Sequence, residues 1–239
     1  MITTIAFDGD DTLWHNEAIF SMTQGKFRQL LMRYVPESEV DRQLYAAEIR
    51  NLRLFGYGVK GFTLSMIETA IEVSDGRVTG GDIQRIIDFG KAMLEHPVDL
   101  IEGAASTIAR LRSDYTLMLI TKGDLFDQES KIARSGLWDA FSKIEIVSEK
   151  DEATYGRLLN RHGVAPTNFL MVGNSLKSDV LPVIGIGGRA VHIPYHVTWA
   201  HEEAEPPGEH SGYWVLSTVA DLPDLLDRLD SRESAACAG

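Results

Sequence analysis

Two carboxylates two residues apart carry the first chemical signal in this chain. Asp8 and Asp10 lie in Ile5-Ala6-Phe7-Asp8-Gly9-Asp10-Asp11-Thr12-Leu13-Trp14, where an apolar run (Ile2, Ile5, Ala6, Phe7) breaks into three acids and a glycine. The run reads as a buried strand and the Asp and Gly cluster as the turn that ends it. Acids held this close repel one another, and a bound divalent cation or a shared proton is the usual remedy. An ordinary acidic turn uses the same residue types, so the stretch alone leaves both readings open.

Other apolar runs end in chemically useful groups too. Thr116-Leu117-Met118-Leu119-Ile120 leads into Thr121 and Lys122. Ile144-Glu145-Ile146-Val147 is followed by Lys150, and Phe169-Leu170-Met171-Val172 by Gly173, Asn174 and, about one helical turn further on, Asp179. In open parallel sheets, ligands bind beyond the carboxyl ends of the strands. If these runs are neighbouring strands, two carboxylates, a hydroxyl, lysines and an acid and amide pair converge on one edge. A chance acidic turn predicts none of the other three ends.

The elements that must position them follow from periodicity. From Val98 onward, strands alternate with helices: helices over about 103–113, 126–135, 152–162 and from 178, a strand over 189–193, an edge strand near 213–216 and a last helix over about 219–229. Gly136 and Gly163 read as helix stops. Alternation of this kind predicts an α/β fold, a Rossmann-like, mainly parallel sheet with helices on both faces. Between Glu17 and His96 the spacing is instead helical, with segments over about 18–34, 38–49, 62–73 and 83–94, the last opened by Thr79 and Asp82. The first strand, 2–7, has no sheet partner until after residue 98. The expected organisation is therefore an α/β core of 1–15 and 98–231, an inserted helical bundle of 16–97, and a frayed tail of 232–239. The stretch from Arg53 to Phe62, with Gly56, Gly58, Lys60 and Gly61, reads either as a flexible helix connection or as a ligand-contacting loop, with Lys60 as its candidate substrate contact.

With these residues in order, the chain resembles the haloacid dehalogenase-like superfamily, whose first motif is D-x-D-x-T. Here it is Asp8-Gly9-Asp10-Asp11-Thr12. The family's second motif, a Ser or Thr ending a strand, matches Thr121; its third, a lone basic residue, matches Lys150; its fourth, G-D followed by D, matches Gly173-Asn174 and Asp179. The helical insertion matches the family's helical cap in position and type. The resemblance implies a magnesium-dependent phosphohydrolase that cleaves a small phosphomonoester through an aspartyl-phosphate. Asp8 is then the nucleophile and Asp10 the proton carrier for the leaving oxygen and for the water. Thr121 and Lys150 hold the phosphoryl group. Mg²⁺ would take the Asp8 carboxylate, the Asp10 carbonyl and Asp179, with Asn174 binding the cation or its water. The acid at position 10 favours phosphoryl chemistry over carbon–halogen cleavage, because the family's dehalogenases lack it.

Two positions depart from the pattern. Asn174 stands where the family has an acid, which removes a negative charge and predicts weaker magnesium affinity. Lys122 stands where Asn is common; its side chain either adds positive charge to the site or lies in solvent. Three rival readings stay open: a non-catalytic binding protein on the same fold, a 2-haloacid dehalogenase, and a phosphomutase.

The rest of the sequence bounds the answer. With 239 residues the chain can bury a substantial core. There are 23 Lys and Arg against 35 Asp and Glu, a net charge of −12, which argues against nucleic acid as a partner and leaves room for a small phosphorylated metabolite. One cysteine, Cys237, excludes an internal disulfide and fits a reducing, cytoplasmic setting. No run is long and apolar enough to suggest a membrane span, and the amino terminus has no secretory pattern. His192, His196 and His201 fit no zinc spacing, Asp11 reads as a loop-structuring acid, Trp14 as lining or packing, and Glu202 to Pro207 as a solvated loop. Substrate and oligomeric state are not legible.

Overall fold

The computed structural model of the chain describes residues 1–208, 210 and 212–237. In chain order the elements are β1 (Thr4–Phe7), α1 (Glu17–Leu31), α2 (Glu37–Phe55), α3 (Val59–Val73), α4 (Gly80–Glu95), α5 (Ala104–Leu111), β2 (Thr116–Lys122), α6 (Leu125–Arg134), β3 (Lys143–Val147), α7 (Glu152–His162), β4 (Phe169–Gly173), α8 (Leu181–Gly185), β5 (Arg189–His192), β6 (Tyr213–Val215) and α9 (Leu222–Cys237). They divide into two compact units. One comprises Met1–Glu17, Val98–Lys122 and Ile132 onward; the other comprises Ala18–Pro97 and Gly123–Lys131. Residues 123–131, expected in the α/β core, belong with the helices.

In the first unit, among the described residues, six strands form one sheet in the order β3-β2-β1-β4-β5-β6, every pair parallel. Side chains alternate between its faces. Ile5, Phe7, Leu117, Leu119, Leu170, Val172 and Val191 pack on one side with Ile108 of α5 and Leu222 and Leu226 of α9. Ala6, Met118, Ile120, Phe169 and Met171 pack on the other with Tyr155, Leu158 and Leu159 of α7 and Val183 of α8. Burial on both faces explains why β1, β2 and β4 are apolar almost without interruption. Asp151 caps α7, accepting from the Thr154 amide at 2.7 Å, and Gly163 ends it in the left-handed conformation, φ 66°.

The second unit has its own core, with Phe27 and Leu31 of α1, Leu44 of α2, Met66 of α3 and Ile86 of α4. Thr79 and Asp82 form the expected reciprocal cap on α4.

Three local expectations are corrected and one is met. The connection between α2 and α3 is only Gly56–Gly58, with φ of 71° and 106° at the two glycines; Lys60, Gly61 and Phe62 already belong to α3, its helical register carried by the Phe62 amide on the Gly58 carbonyl. Thr121 and Lys122 are the last residues of β2, where the strand was expected to end. The segment after β4 is a wide π-type turn, Leu176–Val180, leading into α8 with Pro182 in its first turn. Finally, α9 runs to Cys237, past the Leu229 boundary expected for it and through most of the predicted frayed tail; Ala238 and Gly239 lie outside the described residues.

Candidate active site

Strand order reverses between β1 and β4, so the crevice of this sheet opens beyond their carboxyl ends. Asp8 is the first residue past β1 and its amide donates to the Val172 carbonyl at 2.9 Å. The chain then makes one tight turn: the Leu13 amide returns to the Gly9 carbonyl at 2.8 Å. Residues 13–15 run alongside 99–101, with His15 N on Asp99 O (3.0 Å) and Ile101 N on Leu13 O (2.9 Å). Asp11 holds this corner. It sits at φ 60° and its carboxylate accepts from the amides of Asn16 and Glu17 at 2.9 and 3.0 Å.

Lys150 reaches the same place from beyond β3. Its Nζ donates to Asp8 Oδ1 at 2.5 Å and to Asp179 Oδ1 at 2.7 Å, and all three side chains are buried. Asp179 Oδ2 accepts from the Ser175 amide at 3.0 Å. Gly173 makes this approach possible: a Cβ there would lie 2.2 Å from an Asp179 carboxylate oxygen. Burial works against the charge on Lys150, but Asp179 and Asp8 outweigh it, and the ammonium is held above the ordinary lysine range. Burial pushes Asp8 upward; Lys150 pulls back, Asp179 and Asp10 add to the rise, and the net shift is up.

The second oxygen of Asp8 faces a cluster of oxygens. The outer atom of the Asn174 amide lies 3.3 Å from Asp8 Oδ2 and 3.2 Å from the Asp10 carbonyl oxygen. Thr12 Oγ1 stands 3.4 Å from Asp8 Oδ2 and 3.3 Å from Asn174 Oδ1. With its oxygen inward, Asn174 faces two acceptors; turned over, its NH₂ donates to both. Three converging oxygens suit a hard cation, while the reversed amide closes the cluster without one. Among the described residues no group of three or more His, Cys, Asp or Glu side chains could hold a metal ion, and here two of the three donors are a main-chain carbonyl and an amide. Carbonyl, amide and carboxylate oxygens nonetheless form a donor set that magnesium accepts.

A scan against family models matches residues 2–187 to the haloacid dehalogenase-like hydrolase family. The chain belongs to that family. A solved haloacid dehalogenase-like family hydrolase from Xanthomonas campestris superposes with a TM-score of 0.88 at 42% identity, covering 98% of this chain and 94% of the other. Among curated proteins, N-acylneuraminate-9-phosphatase of Mus musculus is 26% identical over 179 residues, 70% of this chain and 68% of the relative. Pyrimidine 5'-nucleotidase YjjG of Escherichia coli strain K12 is 26% identical over 235 residues, 93% and 96%.

Within this haloacid dehalogenase-like hydrolase, the structure brings together Asp8, Lys150, Asp179, Asn174 and the main chain of Asp10. Thr121 is buried at the end of β2, next to β1 and at the same sheet edge. Asp179, expected as a metal ligand, has one oxygen on Lys150 and the other on the Ser175 amide. The Asp10 carboxylate accepts from Trp14 Nε1 at 2.6 Å. Lys122 neither lies in solvent nor adds free charge: its Nζ donates to Glu202 Oε1 at 2.6 Å and Ser178 Oγ at 2.8 Å. Lys60 lies in the helical unit, where its Nζ pairs with both oxygens of Asp124 at 3.0 and 3.1 Å. The histidines go separate ways: His192 Nε2 on the Asn174 carbonyl (3.0 Å), His196 against the Tyr195 ring, His201 against Trp199.

Sequence reasoning missed Glu202. Placed in a solvated acidic loop, it is in fact largely buried and accepts from Lys122, Ser175 Oγ (2.7 Å) and Ser178 Oγ (2.6 Å). Burial opposes its charge, but Lys122 and the two serines prevail and bring it down to about 2. No pattern in the sequence distinguishes it from Glu203 or Glu205.

Proposed function

We propose that the chain is a magnesium-dependent phosphomonoesterase working through an aspartyl-phosphate on Asp8. One observation carries the reading: a buried carboxylate with one oxygen fixed on an ammonium and the other among oxygens suited to a cation, two residues before a second carboxylate. Names among its relatives, a sugar-acid phosphatase and a nucleotidase, agree with it.

In this reading Lys150 and Asp179 hold the Asp8 carboxylate in one orientation for its attack on the phosphorus of the substrate. Magnesium, held by Asp8, the Asp10 carbonyl and Asn174, would offset the repulsion between that carboxylate and the phosphate. Asp10 protonates the leaving oxygen and afterwards takes a proton from the water that cleaves the acyl-phosphate. Thr121 hydrogen-bonds a phosphoryl oxygen, and Lys150 stabilises charge on the nucleophile and the phosphoryl group. Asp179 acts through Lys150. The helical unit, Lys60 included, is proposed as the cap that sets substrate choice, and the enzyme as cytoplasmic.

The test is phosphate release from p-nitrophenyl phosphate and a panel of small phosphomonoesters, by wild type and Asp8→Asn, with and without magnesium. Wild type turns over with magnesium, and the variant keeps its fold while losing at least about a thousandfold in rate. Equal rates in the two proteins would refute Asp8 as nucleophile.

A further inference from the structure

We infer that Trp14 is a positioning residue for the acid-base step: its indole N–H sets the orientation in which the Asp10 carboxylate delivers a proton to the leaving oxygen. The inference rests on the proposed phosphomonoesterase reading, in which Asp10 is the proton carrier.

The geometry is unusually committed for a core tryptophan. Trp14 Nε1 donates to Asp10 Oδ1 at 2.6 Å, a short, charge-assisted distance for an N–H on a carboxylate. The ring is only 1% exposed and belongs to the sheet's main core cluster. Its main chain is pinned on both sides, by the Asp11 amide on the Trp14 carbonyl at 2.7 Å and by pairing with Leu100. The indole therefore has one place to be, and the carboxylate is tied to it. Gly9 completes the arrangement, because a Cβ there would lie 2.5 Å from the ring. The residue between the two acids thus has no side chain, and the space is taken by the indole that holds the second acid.

The chemistry follows from which oxygen is engaged. An indole N–H is a donor only, so it fixes Oδ1 as an acceptor. A proton carried by this carboxyl group must then sit on Oδ2. A swinging carboxyl offers its proton from either oxygen over a range of directions, whereas this one offers it from one oxygen in one orientation. General acid catalysis depends on that placement, and a displacement near 1 Å can cost about a hundredfold.

The test uses leaving groups of different basicity. An alkoxide needs the proton; p-nitrophenolate, a weak base, leaves without much help. The quantity to compare is kcat/KM, which reports steps through the transfer to Asp8 and excludes the later cleavage by water. For Trp14→Phe, kcat/KM on an alkyl phosphomonoester found to be a substrate should fall by about tenfold to a hundredfold, while kcat/KM on p-nitrophenyl phosphate changes by less than about threefold. Asp10→Asn should show the same leaving-group dependence, more steeply. Equal loss on both substrates would mean that Trp14 supports the fold only, and a gain on the alkyl substrate would mean that the bond restrains Asp10 in an unproductive orientation; either result overturns the inference. If Trp14→Phe fails to fold, benzothienylalanine at position 14 keeps the ring shape, removes the N–H and must give the same pattern. Wild type without activity on any phosphomonoester would defeat the underlying reading instead, and is distinguishable from these outcomes.

Discussion

Replacing Glu202 with Gln removes one charge and keeps the side chain's size, and the structure fixes what should follow. The carboxylate accepts from Lys122, Ser175 and Ser178, and these bring it from 4.5 to about 2. A group whose folded value is depressed adds stability that is fully present above its unfolded value and is lost as pH falls toward the folded one. The window here runs from about pH 5 down to about pH 2, and the full contribution is about 3 kcal/mol. At pH 7, Glu202→Gln should therefore unfold in urea with a free energy about 3 kcal/mol below wild type. At pH 4 the gap should narrow by about 1 kcal/mol, because wild type has begun to lose the contribution and the variant never had it. Taking the difference between the two proteins at each pH cancels every other titrating group. A gap that stays constant from pH 7 to pH 4 would refute the electrostatic account and leave only packing. A gap below about 0.5 kcal/mol at pH 7 would place the pair with exposed salt bridges of little consequence.

Three more perturbations have expected outcomes. Lys150→Met leaves the Asp8 and Asp179 carboxylates buried beside each other without their shared cation, and should cost about 3–5 kcal/mol in urea unfolding, with Asp179→Asn in the same chain recovering part of it; a loss under about 1 kcal/mol would contradict the burial of the triad. Gly173→Ala drives a methyl group into the Asp179 carboxylate and should lower stability by about 1–3 kcal/mol while disturbing Lys150, seen as a matching fall in phosphate release. Millimolar magnesium should raise the Tm of wild type, and raise that of Asn174→Asp further at the same concentration, because the cation binds the folded state and gains a charged ligand; EDTA should abolish turnover in both.

Much of the site was readable before the fold because each of its groups lies at the end of an apolar run. Asp8, Thr121, Lys150 and Asn174 were each placed by the strand before them, and a parallel sheet brings strand ends together on one edge. What the sequence hid is what the loops do. Glu202 comes from a loop with neither period nor motif, and its partners Ser175 and Ser178 are common turn residues. The bond from Trp14 to Asp10 depends on a tight turn whose hydrogen bonds return to Gly9, and the absence of a Cβ at Gly9 is legible only once the ring is in place. The extent of the glycine loop was overread for a different reason: three glycines within six residues suggest a loop, but only Gly56 and Gly58 take positive φ, and α3 starts between Gly58 and Lys60. The π-type turn after β4, which carries Asp179, is likewise not encoded by strand and helix periods.

The charges at the site bear on why an amide at position 174 is compatible with the proposed chemistry. Asp8, Asp10 and Asp179 bring three carboxylates and Lys150 one ammonium, while Lys122 is matched by Glu202 and so contributes no net charge. Counted before Asp10 takes up the proton it delivers, the remainder is two negative charges, which a divalent cation would balance. Burial with that remainder is consistent with the upward shift of Asp8, since a carboxylate surrounded by more negative than positive charge resists ionisation. An acid at position 174 would leave a third negative charge facing an incoming phosphate, raising metal affinity at the expense of substrate attraction. In the proposed chemistry Asn174 would instead supply an oxygen ligand without charge and, reversed, an NH₂ that reaches Asp8 and the Asp10 carbonyl. The site needs no fourth acid because Asp179, the one remaining acid of the fourth motif, orients the ammonium that fixes Asp8.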